Sequence, residues 1–373
     1  MKDNKLVTAV IGAGMIANKA HIPAYKSLPE QVSIEAVFDK REEAAAQTTQ
    51  AHNIPFHYTD AERMLREIRP NLVSVCTPNM SHAAYVRMAL ENGCNVLCEK
   101  PLAMTWKETR ALYDLAKEKG RLLMACQTLR YGEEYLAAKE MADAGMLGDI
   151  YFAEFAAIRR RGIPKWGVFH RKEDNGGGAL CDLGVHLIDA LVWLMGSPAF
   201  KSVSGYTAAH IAQHEKNVIS SIVESGAPAG VTRALKYQPE EFEVEEFAAG
   251  TLQFENGINV NFKTSWALNL PPQFGLSIAG TKAGLTLPDL KLYTVMGRYQ
   301  TDIVPKVFKE GPHAKEPFSG HFALIKNAVD HLMYGAPVLV TPEQTLTVAA
   351  VIDAFYLSAK LQREVRAEEV YTA

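Results

Sequence analysis

The sequence predicts an α/β protein of two domains: a doubly wound parallel sheet, then an α+β domain whose mainly antiparallel sheet carries helices on one face. Three observations carry this. Short apolar runs alternate with longer amphipathic stretches over the first third of the chain, a glycine-rich turn follows the first run at once, and strand-rich segments take over after about residue 128. A length of 373 residues suits two or three domains of about 150 residues each. We place the domains at 1–128 and 129–373.

In chain order, Leu6 to Ile11, Ser33 to Phe38, Leu72 to Cys76, Asn95 to Cys98 and Leu122 to Cys126 are the main strands of the first domain. Helical patterns cover Arg41 to His52, Ser81 to Gly93 and Thr105 to Gly120, the last opened by Thr105 and Glu108 at capping-box spacing. Beyond the boundary come a helix from Gly132 to Ala144, a strand from Ile150 to Arg160 and a long apolar helix from Ala179 to Met195. Alternating runs then span Thr251 to Ala267 and Gly275 to Leu287, with Glu255-Asn256-Gly257 as a hairpin signal. Pro342 to Arg363 is helical again, and the acidic stretch Glu240 to Glu246 reads as a solvated face.

Lys and Arg number 39 against 42 Asp and Glu, a net charge of -3, so no global positive field is available to hold nucleic acid or an acidic membrane. With 48% hydrophobic and 22% charged residues and no apolar run long enough for a membrane span, the composition is that of a globular protein with a small, roughly neutral partner. The opening MKDNKLVTAVIGAG is a short polar lead into a strand without the apolar core of a leader, so a cytoplasmic location is expected. Cys76, Cys94, Cys98, Cys126 and Cys181 are scattered in apolar segments without paired spacing, which predicts buried reduced thiols and no metal site.

Gly12-Ala13-Gly14-Met15-Ile16-Ala17 follows the first strand and opens a helix. The first glycine permits the tight turn, the second lets backbone amides approach a pyrophosphate, and Ala17 still allows helix to pack closely on strand. Gly12, Gly14, Met15 and Ile16 are therefore candidate cofactor contacts. Asp39, at the end of the second strand, can accept hydrogen bonds from an adenosine ribose and would repel a 2'-phosphate. NAD is favoured, while Lys40 and Arg41 leave NADP open.

Thr77-Pro78-Asn79-Met80-Ser81-His82 and Glu99-Lys100-Pro101 stand at strand C-termini, where open α/β sheets bind ligands. Lys100 can supply positive charge to a substrate hydroxyl in a partly desolvated cleft. Further on, Gly176-Gly177-Gly178 leads into a helix on which Asp182, His186 and Asp189 share one stripe, three polar groups on an otherwise apolar surface. Such a stripe needs a polar partner.

With these motifs the sequence resembles the Gfo/Idh/MocA family of NAD(P)-dependent oxidoreductases, from the G-x-G-x-x-A loop through Glu-Lys-Pro to the G-G-G-x-x-x-D-x-G-x-H-x-x-D helix. The resemblance implies a Rossmann domain followed by a domain with a large open sheet, and a nicotinamide cofactor. It further implies a catalytic Lys100, Asp182 and His186, with Asn79 and His82 near the nicotinamide ribose. Thr77, Glu99 and Lys100 join them as cofactor contacts at the strand ends. The implied activity is hydride transfer between a secondary alcohol of a cyclic polyol, sugar or sugar derivative and NAD(P). His186 is read as general base, Lys100 as stabiliser of the alkoxide and Asp182 as the group that orients the hydroxyl or His186. A glycosidase of the same fold that uses bound NAD, and a nucleotide-binding regulator without turnover, are the alternatives.

Lys100, Arg130, Trp166, Asp182 and His186 are the candidate substrate contacts. Arg159, Arg160 and Arg161 leave a strand just before the catalytic helix and face either substrate, a neighbouring subunit or solvent. Gln127 and Tyr131 lie at the expected domain junction, and His313 and His321 have no assigned place. The apolar alternation of Leu252, Phe254, Ile258, Val260 and Phe262 is read as lying on the open sheet and needing cover, which predicts a homo-oligomer, a dimer or a tetramer.

Overall fold

The structure, a computed structural model, describes residues 4–215, 218–227, 231, 235–308 and 313–372. It forms two compact units: 1–104, 108–132 and 309–345 make the first, and 105–107, 133–308 and 346–373 the second. This departs from a single boundary at residue 128. The chain returns to the first unit near its C-terminus.

In the first unit β1 (Leu6–Ile11), β2 (Val32–Phe38), β3 (Phe56–Tyr58), β4 (Leu72–Val75), β5 (Asn95–Cys98) and β6 (Leu123–Ala125) form one parallel sheet in the order β3-β2-β1-β4-β5-β6. Connections run outward in both directions from β1, so a crevice opens between the C-terminal ends of β1 and β4. All four residues of β4 are buried, as a strand covered on both faces requires. The helix Ser319–Tyr334 covers part of this sheet because its stripe of Leu324, Ile325, Ala328 and Val329 packs on Leu6, Leu72, Leu97 and Met124. A stripe at helical spacing predicts a buried face without naming the sheet that buries it.

Arg130 is not a substrate contact. It is wholly buried on the turn Thr128–Tyr131, where its guanidinium donates to the Leu339 carbonyl at 3.2 Å and to Gln344 Oε1. Beside it Tyr131 Oη donates to Asn327 Oδ1 at 2.9 Å, so this turn ties the returning C-terminal segment to the first unit.

The second unit is built on a nine-stranded sheet: β7 (Ile150–Ile158), β8 (Phe200–Ala208), β9 (Phe247–Phe254), β10 (Asn259–Ser265), β11 (Gln273–Gly280), β12 (Ala283–Leu287), β13 (Lys291–Met296), β14 (Tyr299–Ile303) and β15 (Val365–Arg366). The order is β14-β13-β12-β11-β7-β10-β9-β8-β15, antiparallel except where β7 pairs with β10. Gly257, at φ 87°, closes the expected hairpin between β9 and β10. The segment 172–194 is long and apolar enough by length and composition to cross a membrane, yet its helical part from 179 onward lies mostly buried inside this unit as its core helix.

Leu252, Phe254, Ile258, Val260 and Phe262 are all buried within the unit, which corrects the expectation that they lie on an open face. Phe262 stacks on Phe155 at 4.9 Å and meets Phe355 of the helix Pro342–Leu361 at 5.5 Å. Alternation sends the polar set to the other face, where Glu154, Thr251, Asn261 and Lys263 are exposed. The acidic stretch is likewise not a solvated face throughout, because Glu245 and Glu246 are buried. Glu246 accepts from the amides of Ile211 and Ala212, both at 2.6 Å, and loop amides of this kind require an acceptor once they leave water.

Arg130→Met should lower the unfolding free energy by about 2–3 kcal/mol, the scale of a lost charged hydrogen bond, while leaving KM for substrate unchanged. Denaturant titration and steady-state kinetics check both halves.

Candidate active site

Gly12 turns the chain at φ 100°, and a Cβ there would stand 2.7 Å from the Cys76 carbonyl oxygen, so no side chain fits. At Gly14 the nearest atom would be 3.9 Å away, which leaves backbone open to a ligand. A π-helical turn, Ala17–His21, follows, and Ala17 is buried against Val10 and Val37. Asp39 Oδ2 accepts from the Ala13 amide at 3.0 Å, and its Oδ1 accepts from the amide and Nε of Arg41 at 2.9 and 3.3 Å. The carboxylate is thus fixed beside the glycine turn with lone pairs remaining for ribose hydroxyls. Small residues, open amides and a strand-end acid together fit an adenine dinucleotide.

Along the crevice, Ser81 Oγ lies 2.8 Å from Thr77 Oγ1, holding the loop after β4. His82 departs from its expected role. It is fully buried, its Nδ1 and Nε2 stand 2.7 and 2.8 Å from the carbonyl oxygens of Pro101 and Thr77, and it clasps two loops instead of facing a ligand. Glu99 is buried too, and its Oε1 accepts from His21 Nε2 at 2.9 Å and His321 Nε2 at 3.0 Å. Lys100 follows as a partly exposed residue.

In the second unit, the glycine run is dictated by contact. A Cβ on Gly178 would fall 1.8 Å from the Glu245 carbonyl oxygen, and one on Gly177 would fall 2.3 Å from Tyr356 Oη. The Glu245 carboxylate accepts from the amides of Gly178 and Leu180 at 2.8 and 3.1 Å and from Tyr356 Oη at 2.9 Å. Amides at a helix start have no partner within the helix, and here a buried acid supplies one. Burial nevertheless pushes the Glu245 carboxyl above its ordinary range.

Asp182 lies on a π-helical turn, Leu180–Gly184, and His186 on the first turn of the helix Val185–Leu194. Both are partly exposed, whereas Asp189 is 1% exposed and belongs to the interior. The π turn holds an extra residue, so Asp182 is displaced from the stripe that uniform helical spacing predicts. Trp266 Nε1 donates to Asp182 Oδ2 at 2.9 Å, and Arg159 Nη1 stands 3.9 Å from the same oxygen. The Arg159 guanidinium also donates to the Ser225 carbonyl at 3.0 Å. Trp166 Nε1 donates to Ser225 Oγ at 3.1 Å, and its ring meets Phe169 edge-on at 4.8 Å. Phe169 in turn lies 6.4 Å from Trp266, so an aromatic row leads from Trp166 to Asp182.

A sequence model of the Gfo/Idh/MocA oxidoreductases, described as having an NAD-binding Rossmann fold, matches residues 6–126, and that of the family's C-terminal domain matches residues 135–286. The chain belongs to the Gfo/Idh/MocA family. Its first unit is an NAD-binding Rossmann domain, and the protein is an NAD(P)-dependent oxidoreductase. Among its relatives, the D-glucoside 3-dehydrogenase of Escherichia coli is 32% identical over 96% of this chain and 97% of its own. The scyllo-inositol 2-dehydrogenase (NADP(+)) of Bacillus subtilis is 23% identical over 98% and 97%. A levoglucosan dehydrogenase solved with NADH and levoglucosan has the same fold, with a TM-score of 0.80, 21% identity and coverage of 97% and 99%.

Sequence reasoning missed Trp266, since an aromatic residue just past a strand gives no sign that its indole N–H meets an acid. Trp266→Phe keeps a ring and removes that donor. A hydrogen bond to a charged group contributes about 1.5–3 kcal/mol, so kcat should fall roughly tenfold or more with NAD affinity unchanged, as steady-state kinetics and calorimetric titration would show.

Proposed function

We propose that this Gfo/Idh/MocA oxidoreductase oxidises a secondary ring hydroxyl of a sugar, a glycoside or a cyclic polyol. His186 acts as general base, Lys100 stabilises the developing alkoxide and Asp182 orients the hydroxyl. The observation that carries the reading is Asp182 held by Trp266 beside Arg159, which makes it a fixed acceptor and leaves proton removal to His186. The glycine turn at Gly12 and Gly14 together with Asp39 would hold the dinucleotide, whose nicotinamide would supply the hydride acceptor. The hydroxyl proton passes to an imidazole nitrogen of His186, and the oxygen's charge is met by the ammonium of Lys100. Trp166 offers an aromatic face to the apolar side of a sugar ring, as stacking on carbohydrate requires. The 32% identity to a D-glucoside 3-dehydrogenase over nearly the whole chain supports a glucoside as the first substrate to test. Asp39, a strand-end carboxylate beside the glycine turn, supports NAD over NADP.

The proposal extends to a homo-oligomer. Its support is the apolar surface on the edge strand β14 and its neighbour β13, where Val295, Met296 and Tyr299 are 64%, 60% and 68% exposed. An apolar edge of this kind calls for cover by another chain.

Two outcomes are expected. NADH absorbance should rise with one or more of a panel of glucosides, inositols and anhydrosugars, and His186→Ala should slow that rate by about 10²- to 10⁴-fold while NAD still binds. A variant keeping more than about a tenth of the rate would move the proton to another group. Sedimentation at micromolar concentration should show a dimer or larger, and a monomer would contradict the assembly.

A further inference from the structure

A second cluster of titratable groups lies inside the first unit. His21 ends the π turn after the glycine loop, Ser74 is on β4, Tyr25 is on the helix Ile22–Lys26, Glu99 closes β5, and His321 is on the first turn of the helix Ser319–Tyr334. All five are buried. Tyr25 Oη stands 2.7 Å from Ser74 Oγ, Ser74 Oγ 2.9 Å from His21 Nδ1, and both histidines reach Glu99 Oε1.

Chemistry sets the direction of this chain. Burial would push the Glu99 carboxyl up, but the hydrogen bonds of His21 and His321 outweigh it and hold the group well below the usual carboxylate range. Burial lowers His21, which is therefore neutral and has one N–H to give. That N–H sits on Nε2 and donates to Glu99, so Nδ1 accepts from the Ser74 hydroxyl, which in turn accepts from Tyr25. The remaining neighbours are apolar or held neutral, since burial pushes the thiols of Cys76, Cys98 and Cys126 well up. Burial also lowers His82, whose ring is spent on backbone. Glu99 is thus a fixed anion directly before Lys100, and its Oε2 accepts from the Lys100 amide at 3.3 Å. The entry of the helix Ser319–Tyr334 is fixed as well, because a Cβ on Gly320 would fall 2.5 Å from the Thr128 carbonyl oxygen.

We infer that Glu99, oriented by His21 and His321, is a positioning residue that sets Lys100 for turnover. The inference rests on the role proposed above for Lys100. Removing His321 takes one of two donors from Glu99, so its carboxyl protonates at higher pH, and Lys100 loses its anchor at a pH where the unmutated protein keeps it.

The test compares His321→Ala, His321→Asn and the unmutated protein, on their folded fractions, for kcat, KM, NAD affinity and the acid limb of the pH profile. The expected result is that His321→Ala lowers kcat at least tenfold and moves the acid limb to higher pH. NAD affinity and KM should change less than threefold, and His321→Asn, which restores a donor, should recover most of kcat. A lower melting temperature with kcat and pH profile unmoved would make the cluster purely structural and overturn the inference. Nitrogen-15 spectra of the histidines supply a readout independent of any substrate. They should show His21 as the neutral Nε2–H tautomer through the neutral range, and any other tautomer overturns the chain of donors even if no sugar is turned over. Absence of turnover in the unmutated protein with that tautomer present counts against the proposed function alone. Cys126 also lies within 4.8 Å of the His21 and Glu99 donor atoms, so stoichiometric zinc in the purified protein would replace the network by a metal centre and overturn it as well.

Discussion

The start of the helix that carries Asp182 and His186 depends on one buried carboxylate. Glu245 takes up the amides of Gly178 and Leu180, which the helix itself leaves without partners, and Tyr356 completes its shell. Because the backbone carbonyl of Glu245 approaches so closely, no side chain fits at Gly178, and Tyr356 leaves none at Gly177, so these glycines are a steric requirement. The π turn that follows places Asp182 against the indole of Trp266. Remove the carboxylate and both the helix start and Asp182 lose their reference point.

The first unit repeats the device with different donors. Glu99 gathers two imidazoles where Glu245 gathers two amides, and each acid stands next to a segment that carries a residue of the proposed mechanism: Lys100 in one case, Asp182 in the other. The physical reason is common to both. A buried carboxylate is tolerated only when its lone pairs are met by donors, and once met it is held in one orientation. Rigid acids of this kind suit sites where a small displacement of a reacting group costs rate.

Much of this was legible in the sequence. The strands of the parallel sheet, the glycine turn, Asp39, the apolar helix that carries Asp182 and His186 and the Glu255-Asn256-Gly257 hairpin follow from local rules, since each depends on residues near one another in the chain. What could not be read depends on partners far away. The helix Ser319–Tyr334 is not among the elements read from the sequence, and the sheet that buries its apolar stripe lies far from it in the chain. Glu245 and Glu246 look like a solvated charge run until the amides they meet, some 65 and 34 residues distant, are brought beside them. Arg130 and His82 have the residue types of ligand contacts, yet their donors are spent on the protein's own backbone and on Gln344. Alternation in β9 and β10 gave two faces and left open which one the helices would cover.

Hydride transfer from a ring carbon is the centre of the account, and a labelled substrate tests it most directly. A glucoside carrying deuterium on the oxidised carbon is incubated with the protein and NAD, and the reduced cofactor is examined by mass spectrometry. The deuterium should appear in the nicotinamide of the product, one atom per molecule of sugar oxidised. Reduced cofactor without the label, or sugar consumed without net reduction of NAD, would contradict it.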